Sequence, residues 1–547
     1  MSSEAESDRL KRIGKEVFDF KMKENPVLAT NFGVHEYDGD LPEGSREAQE
    51  RKIEKFRNWL EELEGIEIGK LEEDELDSLK VGRYLLELEL FELEELRKWE
   101  KNPDGPQVIG ASLLPLLKRN FAPLEDRLRS ARSRIEEVPR FLENKKEVVR
   151  EPVGLWVKIA MESLEKLPGL LDLIGEAAKK SDIPEKETES FQEAIESVKA
   201  SLEDFGSWLE DEIEDASEDF AIGSPLFEEL LEKQKLGYET GEIMELGKEY
   251  LAESRKSMEK YARRMDENYS VRDAIGKIEE NTPKDFKKAL SWYEESINES
   301  KAFVRDRNLA TIPENEEIEI MKTPAYLRNL IPYAAYIPPA KYDLERKGVY
   351  LVTPPEEEEA LSRFAFWSIR NTTVHEGYPG HHLQMSASAE LDDHFRLLAR
   401  ATETIEGWAH YCEEMMKDYG FDDTPEARLV QMRDRRWRAA RIIADIKLST
   451  GEFSYREGVE FMADTVDMDE SSAEAEVKRY TQNPSYQLSY LLGKHKLDLL
   501  KEDVRRKMGG DYRDRFFHDK LIYGGSIPIK LHRDRFNRMI SQGVGQG

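Results

Sequence analysis

Histidines and carboxylates cluster in the segment HEGYPGHHLQ, which runs from His375 to Gln384. Three of the nine histidines of the chain lie within eight residues of this segment, and Glu376 follows the first of them. Imidazole and carboxylate groups are the ligands that zinc takes in hydrolases, where the ion activates a water molecule. The segment therefore predicts a zinc site with hydrolytic chemistry.

The spacing of these histidines departs from the usual zinc-binding helix. Zinc hydrolases commonly carry two histidines at positions i and i+4 of a helix, with a glutamate beside the first, but position i+4 is here Pro379. On a straight helix, His381 would point about 240° away from His375, and His382 would lie about 10 Å farther along the axis. Zinc–nitrogen bonds of about 2.0–2.1 Å cannot close either gap.

The residues between the histidines predict a break in the helix. Gly377 and Gly380 permit unusual backbone angles, and Pro379 lacks the N–H that would bond the carbonyl of His375. We expect the helix to bulge or break there and to resume at Gly380. A two-residue bulge would leave His381 where the second ligand normally lies.

A second acidic cluster lies on the next predicted helix, Thr402–Gly420, which ends at a glycine. Its residues Glu406, His410 and Glu413 share one face, because they are spaced four and three residues apart. A glutamate from this face would complete a site of two histidines and one glutamate. Such a site leaves the fourth position of zinc open for water.

The elements that must position these groups are mostly helical. Roughly the first 300 residues carry apolar side chains at spacings of three and four, as in Val81–Glu100 and Glu189–Glu210. Later, Pro354-Pro355 opens a predicted helix that runs into His375 and Glu376. A small sheet is predicted just before it, from three short β-branched or aromatic runs. These runs are Glu317–Thr323, Tyr333–Pro338 and Gly348–Thr353.

Composition limits the class of protein. The 547 residues include 82 basic and 114 acidic side chains, and the net charge of −32 disfavours nucleic acid and anionic membranes as partners. The N-terminus lacks the apolar core of a leader peptide, so the expected location is cytoplasmic. The single cysteine, Cys412, excludes an intramolecular disulfide and a cysteine-rich metal site. The oligomeric state stays open, with a homodimer as one alternative.

The two motifs HEGYPGHHLQ and IEGWAHYCEE resemble those of the family called domain of unknown function 885, DUF885. The resemblance extends to NPVLATNFGVHEYDGDLP at Asn25–Pro42, NPSYQLSYLLG at Asn483–Gly493 and FHDKLIYGGSIPIKLH at Phe517–His532. Where that family usually has a glutamine in the block Asn483–Gly493, this chain has Tyr486.

The family in turn resembles the gluzincin peptidases, namely the all-helical carboxypeptidases and the thimet-type oligopeptidases. Those enzymes read HExGH, followed by a glutamate 25 residues after the second histidine. Here Glu406 lies 25 residues after His381, and a further glutamate, Glu413, lies seven residues beyond it. This match implies His381 rather than His382 as the ligand. The two extra residues, Tyr378 and Pro379, depart from the peptidase motif.

Together, spacing and resemblance assign His375, His381 and Glu406 as ligands of one zinc ion per chain, with Mn²⁺ or Co²⁺ as alternatives for the same ligands. Glu376 is the predicted general base, which takes a proton from zinc-bound water. The alternative is that the histidines simply pack and hydrogen-bond in a core, and that Glu376 caps a helix or faces solvent.

Further residues receive roles in the same hypothesis. Tyr490, which corresponds to tyrosines in the helical peptidases, is predicted to stabilise the oxyanion of the tetrahedral intermediate. His382 would support the metal ligands from outside the coordination sphere, or donate a hydrogen bond to the reacting carbonyl. Alternatively, it would exchange roles with His381 and bind the metal itself. Glu413 or Glu403 would orient a ligand imidazole through its free N–H. The alternatives are an ordinary core tyrosine and glutamates on a solvated helix face.

The arginine-rich stretch and His518 each allow two interpretations. The arginine-rich stretch Arg433–Arg441 could receive the terminal carboxylate of a peptide, or its arginines could pair with the many carboxylates of the protein. His518 could face a cleft or be a structural histidine.

The resulting prediction is a mainly α-helical, metallopeptidase-like fold with a deep cleft and a small β-sheet next to the zinc-binding helix. Its parts are an N-terminal helical region, 1–222, and a catalytic helical region with the small sheet, 223–547, expected to form one continuous fold. The predicted function is zinc-dependent hydrolysis of peptide or related amide bonds in short peptides, carboxypeptidase- or oligopeptidase-like. The alternative is a non-catalytic helical peptide-binding or scaffold protein with a degenerate metal site.

Overall fold

The computed structural model describes residues 3–323, 334–355 and 358–544. These residues form two compact units. The first unit contains residues 3–220 and 340–345, and the second contains 221–323, 334–339, 346–355 and 358–544. No described helix is both long enough and apolar enough to cross a membrane.

The first unit is helical. Its helices are α1 (Ser3–Glu24), α2 (Pro26–Phe32), α3 (Arg46–Glu64), α4 (Glu73–Phe91), α5 (Gly105–Lys118), α6 (Leu124–Val148), α7 (Gly154–Lys180) and α8 (Glu185–Asp215). The three-and-four spacing of apolar residues explains their packing, since helix α6 buries one stripe of side chains against α7 and α8. That stripe consists of Leu128, Ala131, Ile135, Val138 and Leu142.

A network of charged side chains stabilises one region of the first unit. The ring nitrogens of His35 lie 2.8 Å from Asp38 Oδ2 and 2.9 Å from Asp343 Oδ1. Arg119 binds the other oxygen of Asp343 at 2.7 Å, and the His35 ring stacks on Phe121 at 3.9 Å. Burial disfavours the charged imidazole, but the two carboxylates outweigh it and raise the pKa of His35 to about 9.

The second unit holds the other fourteen described α-helices. They are α9 (Gly223–Lys233), α10 (Thr240–Met265), α11 (Val271–Glu279), α12 (Phe286–Asp306), α13 (Phe366–Glu376), α14 (His381–Ser388), α15 (His394–Leu398), α16 (Thr402–Asp418), α17 (Pro425–Thr450), α18 (Tyr455–Val466), α19 (Glu470–Gln482), α20 (Ser489–Met508), α21 (Asp514–Ile522) and α22 (Ile529–Ser541). The mainly α-helical fold predicted from the sequence is confirmed, and the deep cleft stays a prediction.

The predicted small sheet is also confirmed. It consists of β1 (Glu317–Lys322), β2 (Ala334–Ile337) and β3 (Lys347–Val352), in the order β1-β3-β2. Strand β3 lies in the middle, parallel to β1 and antiparallel to β2. Tyr350 and Val352 of β3 pack in one core with Ile369 of α13, so the sheet lies beside that helix. Tyr333, the first residue of the second predicted strand, lies outside the described residues.

The prediction of one continuous helix from Pro354 into His375 is wrong. A 3₁₀ helix, Glu358–Phe364, comes first, and α13 begins at Phe366 after Ala365, whose ψ of 137° is extended. The N–H of Phe366 donates to the carbonyl of Asn281 at 3.0 Å. This contact with a distant segment replaces the hydrogen bond that would continue the helix.

Helices α16 and α20 approach each other closely at two glycines. A Cβ added to Gly407 of α16 would lie 2.5 Å from the carbonyl carbon of Gly493 on α20. A Cβ added to Gly493 would lie 2.0 Å from the carbonyl oxygen of Glu403. Only glycine fits at these positions, because the backbones themselves are in contact.

Replacing Gly493 by alanine should force the two helices apart. We expect the Gly493→Ala variant to be destabilised by about 3 kcal/mol or more, as overpacking of a rigid contact requires backbone shifts. Thermal denaturation followed by circular dichroism measures the change. Gly276→Ala on α11 is the matched control, since its Cβ would meet no atom within 4 Å, and alanine there should stabilise slightly. Equal thermal unfolding midpoints for Gly493→Ala and Gly276→Ala would show that the backbones of α16 and α20 are not in close contact at Gly493.

The His35 network should make the stability of the protein pH-dependent. Because the folded pKa of about 9 lies above the ordinary 6.5, the charged His35 contributes fully below pH 6.5 and loses this contribution as the pH rises through 9. We expect charged His35 to contribute about 1–2 kcal/mol to the free energy of unfolding. The full pKa shift would give more, but solvent screens the partly exposed side chain. The free energy of unfolding of wild type minus that of His35→Gln, measured by denaturant at pH 6 and pH 10, should be larger at pH 6. A difference that does not change with pH would exclude the charged network.

Candidate metal centre

The chain leaves the helical path between His375 and His381, as predicted. Helix α13 ends at Glu376, and α14 begins at His381, one residue later than expected, with Gly380 as its N-cap at φ −68° and ψ −136°. A Cβ at Gly380 would lie only 1.9 Å from the carbonyl oxygen of His375. Trp408 of α16 donates to the carbonyl of Pro379 at 2.8 Å and so holds the break in place.

The break brings three predicted ligands together. His375 Nε2 lies 3.8 Å and His381 Nε2 lies 3.4 Å from Glu406 Oε2. One ligand atom from each residue lies within 4.8 Å of the others, and the two imidazole rings are nearly perpendicular, with centroids 4.7 Å apart. All three side chains are buried. We refer to His375, His381 and Glu406 as the triad.

The donor atoms of the triad fit a zinc-sized cation. With bonds of about 2.0–2.2 Å, neighbouring ligand atoms of a tetrahedral zinc site lie about 3.3–3.6 Å apart, close to the separations of the triad. Glu406 Oε2 is buried and has no hydrogen-bond partner among the described residues. A buried carboxylate oxygen without a partner is costly. A cation between this oxygen and the two imidazoles would supply the missing interaction.

Glu413 orients the first imidazole. His375 Nδ1 lies 2.8 Å from Glu413 Oε1, and Asn371 donates to Glu413 Oε2 at 3.0 Å. Burial alone would raise the pKa of Glu413, but Arg438 and the neighbouring histidines hold it well below its ordinary value. An ionised Glu413 accepts the Nδ1 proton of His375, which turns the Nε2 lone pair of that ring toward the centre of the triad.

Glu403, the other candidate for this role, is engaged elsewhere. Its carboxylate binds the ammonium of Lys496 and the backbone N–H of Ile529. Of the two glutamates predicted to orient an imidazole, only Glu413 contacts a member of the triad in the described chain.

The carboxylate of Glu406 is held by a tyrosine as well as by the imidazoles. Tyr486 donates to Glu406 Oε1 at 2.8 Å, which leaves Oε2 facing the histidines. Burial raises the pKa of Glu406, but His381, His375 and Tyr486 outweigh burial and lower it to about 2. Sequence reasoning gave Tyr486 no role. It lies in the turn before α20, and its contact with Glu406 joins segments 80 positions apart, so no local sequence pattern indicated it.

Tyr490 lies beside this contact. Its ring centroid is 6.0 Å from that of Tyr486, and the guanidinium of Arg441 lies 5.0 Å from its ring centroid. Burial, and after it the charge of Glu406, raise the pKa of Tyr490 above its ordinary value. The phenol therefore keeps its proton at neutral pH and can donate it in a hydrogen bond.

Glu376 is the last residue of α13, next to the triad, and it is half-buried. Its charge acts on the second imidazole: burial lowers the pKa of His381, but Glu406 and then Glu376 raise it above its ordinary value. Glu376 itself is not among the groups whose donor atoms converge. It is thus near the triad without being part of it.

The structure does not bring His382 to the triad. Its Nδ1 lies 2.9 Å from the hydroxyl of Tyr336 and its Nε2 lies 2.5 Å from Glu316 Oε2. Both ring nitrogens are therefore occupied, which leaves none for a substrate carbonyl or for an exchange of roles with His381. The predicted catalytic role of His382 is corrected to a structural one, in which it ties α14 to the strand β2.

The arginine-rich stretch pairs with carboxylates, the second of the two alternatives for it. The ion pairs are Arg433 with Glu279, Arg435 with Glu253, Arg436 with Asp467, Arg438 with Glu413 and Arg441 with Glu476. His518 is a structural histidine, since its nitrogens contact the Tyr411 hydroxyl and the Leu309 carbonyl, both at 2.8 Å. Cys412 is fully buried, and burial raises the pKa of its thiol.

Two solved structures are similar to this one. The first, a putative lipoprotein of unknown function from Shewanella oneidensis, is 21% identical, with a TM-score of 0.80, and the match covers 96% of this chain and 99% of that one. The second, the putative lipoprotein from Colwellia psychrerythraea, is 17% identical, with a TM-score of 0.85 and coverage of 99% and 100%. At these identities the likeness establishes the fold alone. No curated protein matches the chain in sequence.

The predicted cytoplasmic location is wrong by this comparison, because both similar structures are described as lipoproteins. The prediction relied on the composition of the N-terminal residues. In general, a leader or lipid anchor is a segment separate from the folded part of a protein, so the composition of folded residues is a poor guide to location.

A family model agrees with the motifs in the sequence. The family described as bacterial protein of unknown function, DUF885, matches residues 26–535. This range includes the broken helix, the triad and both tyrosines next to Glu406. The chain therefore belongs to the DUF885 family.

Proposed function

We propose that the protein is a zinc-dependent hydrolase that cleaves peptide or related amide bonds in short peptides. One observation carries the proposal: the triad places two imidazoles and a carboxylate oxygen without a hydrogen-bond partner around one point. The donor set of two histidines and one glutamate is the one that hydrolytic zinc sites use, with a fourth position left for water.

The residues around the triad are suited to hydrolysis. When bound, zinc would supply a Lewis acid that polarises a carbonyl and acidifies a coordinated water. Glu376, half-buried beside the triad, would accept the proton of the attacking water and pass it to the leaving amine. Tyr490, whose phenol stays protonated, would donate to the oxygen on which negative charge develops.

Two arrangements in the chain would preserve this chemistry between turnovers. Glu413 holds one tautomer of His375, and Tyr486 holds one rotamer of Glu406. Glu413 and Glu406 lie on α16, His375 lies on α13, and Tyr486 lies in the turn just before α20. The ligands are therefore positioned before a metal or a substrate arrives, which lowers the cost of ordering them.

Metal analysis and a variant of the base test the proposal. Wild type should bind about one zinc per chain, by elemental analysis after dialysis. Glu376→Gln should retain the zinc, because Glu376 is not a member of the triad, and should lose hydrolysis of a short-peptide library by about 10²–10⁴-fold. Digests analysed by mass spectrometry measure the loss.

The control for this variant is Glu502→Gln, a similar substitution on the exposed part of α20, which should behave as wild type. If Glu376→Gln still hydrolysed the peptides as wild type does, Glu376 would not be the general base. Zinc bound without any hydrolysis by wild type would favour the alternative of a non-catalytic peptide-binding protein.

Glu413 has a separate, measurable effect on the metal. Glu413→Gln removes the charge that holds the Nδ1 proton of His375, so we expect zinc affinity to fall about 10- to 100-fold. Competition with a chromophoric chelator gives the dissociation constant. The thermal midpoint of the zinc-free variant should be compared with that of zinc-free wild type, since a fold effect would appear there. Unchanged zinc affinity would show that Glu413 does not orient the ligand.

A further inference from the structure

Arg400 is an arginine with no partner in the described chain. Its side chain is exposed, and its guanidinium forms no hydrogen bond or ion pair with any described residue. In contrast, five arginines of the stretch 433–441 are paired with carboxylates. The guanidinium of Arg400 is therefore open to an anionic ligand, in a protein whose net charge is −32.

The backbone at Arg400 is fixed. Arg400 forms a parallel bridge with Ser526, and the N–H of the next residue, Ala401, donates to the Ser526 carbonyl at 2.8 Å. Ser526 is itself buried. The base of the side chain is therefore held in place, while the guanidinium at its end is free to meet a ligand.

Arg400 lies just before the N-terminal end of α16, the helix that carries Glu406. It precedes the first residue of α16, Thr402, by two positions, and Glu406 lies one turn into the same helix. The Thr402 hydroxyl contacts that of Ser489 at 2.9 Å. This contact brings the segment with Tyr486 to the same end of the helix.

Tyr486 is near both Arg400 and the triad. Its hydroxyl contacts Glu406, and its phenol raises the pKa of the Arg400 guanidinium, although burial lowers that pKa overall. The Arg400 side chain is thus reached by solvent and is also surrounded by enough protein for burial to act on it.

We propose that Arg400 binds the terminal α-carboxylate of a peptide whose scissile bond lies at the triad. This proposal rests on the proposed function and gives it a substrate class: short peptides with a free C-terminus, shortened from that end. A guanidinium offers two parallel N–H donors that match a carboxylate.

A pair of peptides and a pair of variants test the role of Arg400. The probes are tetra-alanine labelled at its N-terminus, with either a free C-terminal carboxylate or a C-terminal amide. Zinc-loaded wild type should hydrolyse the acid with kcat/KM about 10- to 100-fold above that of the amide. In Arg400→Gln this preference should fall to about one, through a higher KM for the acid with kcat almost unchanged. Arg400→Lys should retain part of it.

The matched control is Arg456→Gln on α18, whose arginine is 88% exposed and paired with Glu460. It should keep the full preference, and all three variants should keep the zinc content of wild type. An equal rate for acid and amide in wild type, or a preference that survives in Arg400→Gln, would overturn the proposal.

Binding to zinc-free protein separates this inference from the proposed function. Fluorescence anisotropy of the same two probes should show tighter binding of the acid to wild type and equal, weak binding of both to Arg400→Gln. If wild type hydrolyses neither probe but binds the acid selectively, the proposed function fails and the carboxylate site stands. If wild type hydrolyses both equally and binds both equally, or binds neither, the carboxylate site fails.

Discussion

Two imidazoles separated by five residues can face one carboxylate here because the backbone leaves the helical path between them. At Gly380 the chain passes so close to the carbonyl of His375 that no side chain fits. Trp408 fixes the same turn from the neighbouring helix by binding the carbonyl of Pro379. Everything else in the triad follows from this turn, since it converts an unfavourable spacing into a convergence of donor atoms.

Buried charge is the second constraint. Glu406 and Glu413 are both buried, and burial alone would favour their neutral forms. Each is kept ionised by specific partners: imidazoles and the Tyr486 hydroxyl for Glu406, and Arg438 with two histidines for Glu413. Such a set of groups is stable only if all members remain paired. Glu406 Oε2, the atom that faces both histidines, has no hydrogen-bond partner among the described residues.

The local parts of this arrangement could be predicted from the sequence. Glycine and proline between the histidines predicted the broken helix, and β-branched runs bounded by proline and glycine predicted the three strands. Motifs shared with DUF885 predicted the family. Each of these signals is contained within a few consecutive residues, which is where sequence patterns are informative.

The remaining parts depend on contacts between distant segments. The late start of α13 results from the Asn281 carbonyl, and the structural role of His382 results from Glu316 and Tyr336. Tyr486 was overlooked because only its approach to Glu406, 80 positions away, reveals its role. Arg400 was overlooked because an unpaired arginine is recognised only once the partners of the others are known.

The contact between Gly407 and Gly493 has a consequence for how such a site can change over time. Because α16 and α20 meet backbone to backbone, their separation does not depend on any rotamer and cannot be adjusted by exchanging one side chain for another. Side chains on the outer faces of these two helices can then be replaced without changing the distance between the helices. Substitutions on those faces leave the spacing between the Glu406 carboxylate on α16 and the Tyr490 phenol on α20 unchanged.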